Sequence, residues 1–229
     1  MLKRVTFSGI DPWTKPQELR KLADEYPFVE FAFLLTENHA KAGNRYPHPM
    51  ILKSYRQMNL PMAVHFCGKL AYDLVKTNDW GAAQALLGPS MKLFDRIQFN
   101  IPKTKHFRRD LAFPAEKAII IQLHEGTEEL YECYRHLPNV QGFQDDSGGQ
   151  GIACKAWRAP QGEFFGYAGG LGPENVVEAV QAIQTVCDRD FWIDMETSIR
   201  TGDRFDVEKC RQVCEALVKS GWVKKGEML

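Results

Sequence analysis

The fold that this chain predicts is a (β/α)8 TIM barrel, in which eight parallel strands close into a cylinder with helices between them. Three observations lead there. Apolar, strand-like runs alternate with amphipathic helical stretches from end to end, no Pro- or Ser-rich linker interrupts the series, and 229 residues is within the range of one such barrel. One domain over residues 1–229 is therefore expected. An open doubly wound sheet is the alternative that the same alternation allows.

In chain order the expected strands are 4–8, 28–35, 62–66, 95–100, 117–123, 140–144, 163–168 and 191–195, each a short run of aliphatic or aromatic residues. The expected helices are 16–25, 50–58, 68–75, 81–86, 127–136, 173–186 and 207–218. Segment 102–114 has the weakest helical pattern and reads as an irregular loop. The stretch from Phe164 to Ile183 is the most informative. An aromatic run ends at Ala168-Gly169-Gly170, and Pro173 and Glu174 suit a helical first turn. Val176, Val177, Val180 and Ile183 then recur at helical spacing.

Composition excludes several classes. Lys plus Arg is 29 and Asp plus Glu is 29, which argues against a chain built to coat nucleic acid or an anionic membrane. No apolar run approaches the ~20 residues of a membrane span, and Met1-Leu2-Lys3-Arg4 leads into a strand-like run without a signal-peptide core. The six cysteines form no CxxC pair and read as reduced thiols of a cytoplasmic protein. Cys210 and Cys214 share a helix face but lack further metal ligands, and no cofactor motif follows the first strand. No metal and no cofactor are expected. The glycines after the sixth strand lack the helix opening and downstream acid of a dinucleotide site.

In a barrel, functional groups sit at the carboxyl ends of strands. Those ends carry Ser8 and Asp11, Glu37 and Asn38, His65 and Cys67, Gln98 and Asn100, Gln122 and His124, Asp145 and Asp146. Asp145-Asp146 reads as the acid–base element, since neighbouring carboxylates and partial burial raise a pKa. Asp145 directly follows the apolar run. His65 and His124 are candidates to carry protons, and Cys67 to act as a nucleophile if its thiolate is favoured. Gly169 and Gly170 offer backbone N–H groups to a phosphate, with hydroxyls from Thr197 and Ser198, unless these only cap their loop.

Several stretches together resemble the phosphoribosylanthranilate isomerases of tryptophan biosynthesis. YAGGLGPENVVEAV (167–180) is similar to that family's seventh-strand signature, and WIDMETSIRTGDRFDVEKCRQV (192–213) to its Asp-Val-Ser-Ser-Gly-Val-Glu segment and last helix. Phe7-Ser8-Gly9-Ile10, Asn44-Arg45-Tyr46, Ile97-Gln98-Phe99 and GFQDDSGGQG (142–151) resemble the family's further strand-end motifs. The resemblance implies an aldose-to-ketose (Amadori-type) isomerase. Asp145 would be its general acid, or Asp146 with a one-residue shift. Arg45 would grip a substrate carboxylate; Gln98, which the resemblance also covers, and the strand-end residues Gln122 and His124 are candidates to line the substrate. Two departures stand out. Ser8 occupies the position of the family's cysteine base, and Met195-Glu196-Thr197-Ser198 puts a carboxylate in the phosphate loop. The expected reading is thus an isomerase-like barrel, monomer or homodimer, for a phosphorylated small molecule, its general base altered or lost. A non-catalytic ligand-binding barrel is the alternative.

If one core is shared by all eight strand–helix repeats, the chain unfolds in a single transition. Limited proteolysis is expected to yield no pair of separately stable halves, and recovering such a pair would contradict the one-domain reading.

Overall fold

The computed structural model describes residues 1–37, 43–101, 106–146 and 151–226. Eight strands, each parallel to its neighbours, close into a barrel in chain order. They are β1 (Leu2–Ser8), β2 (Val29–Leu35), β3 (Met62–Cys67), β4 (Arg96–Asn100), β5 (Ala118–Leu123), β6 (Val140–Gln144), β7 (Phe164–Tyr167) and β8 (Asp190–Met195). At the closure Thr6 of β1 pairs with Glu30 of β2 on one side and Asp194 of β8 on the other.

Side chains alternate across each strand. One set, including Phe7, Phe31, Phe33, Val64, Phe66, Ile97, Phe99, Ile119, Ile121 and Ile193, is buried in the main core with the helices. In the axial set Ile120, Phe143, Ala168 and Trp192 form a small apolar cluster, with Phe164 against them. Phe143 stacks on Trp192 at 6.2 Å with the rings 6° apart. Gly166 pairs with Trp192, and a Cβ there would overlap the indole, which explains a glycine inside a strand.

Beneath this layer the barrel holds charge. Arg96 Nη1 donates to Glu30 Oε2 at 2.8 Å, Arg4 Nη1 to Glu30 Oε1 at 3.1 Å, and Thr6 Oγ1 to Glu30 Oε2 at 3.0 Å. The Arg96 guanidinium also donates to Gln141 Oε1 at 2.9 Å and lies 4.1 Å over the Trp192 ring. Burial pushes the Glu30 carboxyl up, but the charges of Arg96 and Arg4 outweigh it and hold the group below the usual range.

Among the described residues the connections carry six helices: α1 (Pro16–Glu25), α2 (Lys69–Thr77), α3 (Gly81–Leu87), α4 (Glu128–Tyr134), α5 (Val176–Val186) and α6 (Val207–Lys219). Each amphipathic stripe faces the barrel, as Leu19, Leu22 and Ala23 do from α1. Cys210 and Cys214 are fully buried on the packing face of α6 beside Val213 and Leu217, so they serve as small apolar residues. Three differences from the sequence reading are informative. The helix expected over 50–58 is a 3-10 segment, Pro49–Tyr55, started by His48, whose Nδ1 accepts from the Met50 N–H. Helix α5 begins at Val176 rather than 173, because the Asn175 side chain bonds Gly172 N–H and Gly170 C=O and holds the intervening residues in a turn. After β8 comes a short ribbon not read from sequence, β9 (Arg200–Thr201) and β10 (Arg204–Phe205). Its central residues Gly202 and Asp203 have φ of 56° and 58°, the geometry of a tight two-residue hairpin. Neither 106–117 nor 151–163 contains a helix.

Arg96→Met is expected to destabilise the protein by about 3–5 kcal/mol, because it strands Glu30 with the partly exposed Arg4 as its remaining cation. Urea unfolding should show most of that loss recovered in the double variant Glu30→Met/Arg96→Met, where no buried charge is left over.

Candidate functional site

At the carboxyl ends of the strands the axial side chains border a cavity with about 470 Å³ of empty space, open to solvent. Ser8, Leu34, His65, Gln98, Asp145 and Asp194 form its depth, and Gly169, Gly170 and Glu196–Ser198 its mouth. No lysine or arginine lines it among the described residues.

The central contact joins β1 to β8. Ser8 Oγ donates to Asp194 Oδ1 at 2.5 Å, and both groups are buried. Burial pushes the Asp194 carboxyl up to about 8. The Ser8 hydrogen bond pulls it back only in part, while Glu196, Asp145 and Glu30 repel its charged form. Asp194 is thus mostly protonated at neutral pH. Asp145 lines the same cavity, and Gln122 Nε2 donates to its Oδ2 at 2.7 Å. Asp146 is elsewhere, accepting from Gln144 Nε2 and Arg158 Nη2, each at 2.8 Å, and it does not line the cavity.

His65 and Cys67 differ from a proton shuttle and a thiolate. Burial holds the His65 imidazole down at about 3, so it is neutral at physiological pH. Burial likewise pushes the Cys67 thiol up to about 12. Both are uncharged polar groups here. Gln98 Nε2 lies 2.8 Å from Asn100 Oδ1 and 3.4 Å from His65 Nδ1. His124 lies outside the cavity, its ring nitrogens 2.8 Å and 3.1 Å from the carbonyls of Ile101 and Glu125.

The rim is ionic. Arg45 Nη1 meets Glu196 Oε1 at 2.8 Å, as an ion pair poorly angled for a hydrogen bond, and Nη2 meets Asp203 at 3.3 Å. Burial holds Glu196 above the usual carboxylate range against the pull of Arg45 and Arg200. Glu196 therefore does face the cavity, a point that strand alternation leaves open. Arg200 is buried and donates to Gly9 C=O and Asp203 C=O, both at 2.6 Å, tying the β9–β10 ribbon to the end of β1. Asp11 is taken up locally, accepting from Thr14 N–H at 3.1 Å and from Phe205 N–H at 2.6 Å.

Gly169 and Gly170 sit after β7 with φ of 130° and 64°, values that suit glycine. The segment 151–154 packs directly on them. A Cβ on Gly170 would stand 2.8 Å from Ala153 N, and one on Gly151 2.8 Å from Thr197 Cβ. The neighbouring glycines 148 and 149 and Asn38 lie outside the described residues. Thr197 and Ser198 form a one-turn 3-10 segment at the cavity mouth. Among the described residues no cluster of three or more His, Cys, Asp or Glu side chains is placed to hold a metal, and no helix is long and apolar enough to cross a membrane.

The residue that sequence reasoning passed over is Asp194. Its signal was present as a lone acid inside the apolar run Phe191-Trp192-Ile193-Asp194-Met195, on the same face as Trp192. The arrangement defines a class: a (β/α)8 barrel whose titratable groups gather at the C-terminal face. Among solved structures it is similar to phosphoribosylanthranilate isomerases. That of Thermotoga maritima superposes with a TM-score of 0.59 at 14% identity, over 96% of this chain and 100% of that chain. The isomerase of Pyrococcus furiosus gives 0.54 at 13%, with the same coverage. A phosphoribosylanthranilate isomerase in complex with reduced 1-(o-carboxyphenylamino)-1-deoxyribulose 5-phosphate gives 0.55 at 14%, again over 96% and 100%. No family model and no curated protein matches the chain. At these identities the likeness establishes the fold.

Asp194 and His65 give stability a pH dependence of opposite sign. Asp194 binds its proton more tightly when folded, so its contribution is full below about 4 and is lost as pH rises through about 8. His65 binds its proton more weakly when folded, so its contribution is full above about 6.5 and is lost as pH falls toward 3. From pH 6.5 to 8 only the Asp194 slope remains of the two. Each tenfold change in proton affinity is about 1.4 kcal/mol. Chemical denaturation should therefore show stability declining by one to a few kcal/mol over that interval, and Asp194→Asn should flatten it.

Proposed function

We propose that this barrel binds a phosphorylated sugar-type molecule at its C-terminal face and moves protons on it with two carboxyl groups, Asp194 and Asp145. The observation that carries the reading is the buried, protonated Asp194 bonded to Ser8 in a cavity that Asp145 shares. A pKa near the working pH is what a general acid needs. Ser8 does not take the role of a thiolate base, because a hydroxyl holds its proton far more tightly than a thiol and here donates it to Asp194 Oδ1. In an Amadori-type isomerisation one proton leaves sugar C2 and one reaches the ring oxygen. Here Asp145 takes the first and Asp194 supplies the second, so the ligand's proton count is unchanged and the two carboxyls re-equilibrate through solvent. Gly169, Gly170, Thr197 and Ser198 are the donors for the phosphate, in the loops where this fold commonly binds one. Support for a phosphate ester also comes from the ligand of the isomerase complex to which the fold is similar. Arg45 reaches a ligand carboxylate only by exchanging its Glu196 and Asp203 partners. That prior engagement favours, as a second reading, a binding barrel without turnover.

The test combines calorimetry with D-ribose 5-phosphate and an assay on N-(5′-phosphoribosyl)anthranilate. Millimolar binding is expected, with turnover about 10²–10⁴-fold below ordinary isomerase rates because the family's cysteine base is absent. Asp145→Asn and Asp194→Asn should each remove a further ~10²-fold, and Asp146→Asn little. Ordinary turnover by wild type would refute the altered base, equal effects at Asp145 and Asp146 would refute the site, and no heat with the phosphate ester would refute the ligand class. Binding with no turnover at all, in wild type and Ser8→Cys alike, would establish the second reading.

A further inference from the structure

Three buried polar atoms of cavity-lining residues have no hydrogen-bond partner among the described residues; Glu196 Oε1 is ion-paired with Arg45, and the other two, His65 Nε2 and Gln98 Oε1, have no such charge beside them. Their side chains are 2% and 1% exposed and both line the cavity. Buried polar groups are rarely left unpaired, and two such atoms side by side in one cavity call for a partner that enters it, a ligand group or an ordered water. The surroundings fix what each atom offers. Cys67 Sγ accepts from Asn100 Nδ2 at 3.5 Å, which turns Asn100 Oδ1 toward Gln98. Gln98 Nε2 then donates to Asn100 Oδ1 at 2.8 Å and, over a longer 3.4 Å, to His65 Nδ1. With the amide nitrogen so used, Gln98 presents its oxygen as an acceptor. With Nδ1 accepting, the single imidazole proton is on Nε2, which is a donor.

We infer that His65 and Gln98 are specificity residues that read a hydroxyl group of the ligand, the 2-hydroxyl of a ribose-type sugar, by giving it one donor and one acceptor. A hydroxyl both accepts and donates, and so satisfies the pair. A carboxylate or phosphate only accepts, and it would face the oxygens of Gln98 and Asp145 in the same space. The choice of the 2-hydroxyl rests on the proposed isomerisation, in which C2 must come within reach of Asp145 and Asp194. A site built to bond a hydroxyl rejects an analogue that lacks it, because its own groups are then left unpaired.

The experiment records ¹⁵N spectra of histidine-labelled protein and binding isotherms with four sugars: D-ribose 5-phosphate, 2-deoxy-D-ribose 5-phosphate, D-ribose and 2-deoxy-D-ribose. The ribo sugars are expected to move the His65 Nε2 resonance and to bind roughly tenfold or more tighter than their deoxy partners. His65→Phe and, independently, Gln98→Met should bring that ratio close to one while leaving the phosphate preference unchanged, an effect that a purely structural role does not produce. Equal ribo and deoxy affinities in wild type, or an unmoved His65 resonance with every sugar, would overturn the inference. The free sugars separate it from the broader reading. Discrimination between D-ribose and 2-deoxy-D-ribose without any gain from the phosphate supports hydroxyl recognition and defeats the phosphate ligand. Tight phosphate-ester binding with no ribo preference does the reverse.

Discussion

The site depends on Arg96 being neutralised inside the barrel. A lone guanidinium beneath the cavity would hold Asp194 as a carboxylate and disfavour any proton there. Glu30 cancels that field at 2.8 Å, and the pair acts on its surroundings with opposing signs. His65 is raised by Glu30 and lowered by Arg96, while Asp194 is raised by Glu30. With the floor nearly balanced, the low polarity of the interior decides, and it favours the neutral form of both an imidazole and a carboxyl. Trp192 completes the separation. Its indole lies over Arg96 and under Phe143, so the charged floor and the reacting depth are divided by stacked rings.

Polarity in the barrel therefore changes with depth. Outside the ring layer, His65, the Cys67 thiol and protonated Asp194 are uncharged. At the rim, Arg45, Glu196, Asp203, Arg200 and Asp11 form a linked set of ions held by the β9–β10 ribbon. A molecule with one charged and one hydroxylated end has only one comfortable orientation in such a gradient, its charged end at the mouth.

Much of the fold was legible in the sequence because strands and helices announce themselves by the spacing of apolar residues. The eight runs became eight strands with ends shifted by a residue or two, and the weak pattern in 102–114 corresponds to a described portion without helix. The ribbon after β8 carries a turn signal in Gly202-Asp203, but its strands are two residues each, too short to show an apolar pattern. Glu30 and Arg96 each interrupt an otherwise apolar run, and nothing local says that two such interruptions meet across strands β2 and β4, which are not neighbours. The site was legible as a set of strand ends and not as a set of protonation states. Asp145-Asp146 stands out in the sequence because two acids are adjacent. The carboxyl that burial perturbs most clearly, Asp194, is alone in sequence and acquires its neighbours Ser8, Asp145 and Glu196 only when the barrel closes.

The close seating of 151–154 on Gly169 and Gly170 has a consequence for how this chain can vary. Those glycines are occupied on their side-chain faces by backbone from another loop, and Gly172 stands in the same relation to Ser198, whose Cβ would be 2.5 Å away from an added methyl. Three successive connections, after β6, β7 and β8, thus share one steric envelope. Substitutions among them are not independent, since contacting positions couple rather than add. A larger residue at 172 becomes acceptable only in a background where 198 has already moved. Drift in this face of the barrel is constrained to follow ordered sequences of change, with the loops altering together or hardly at all.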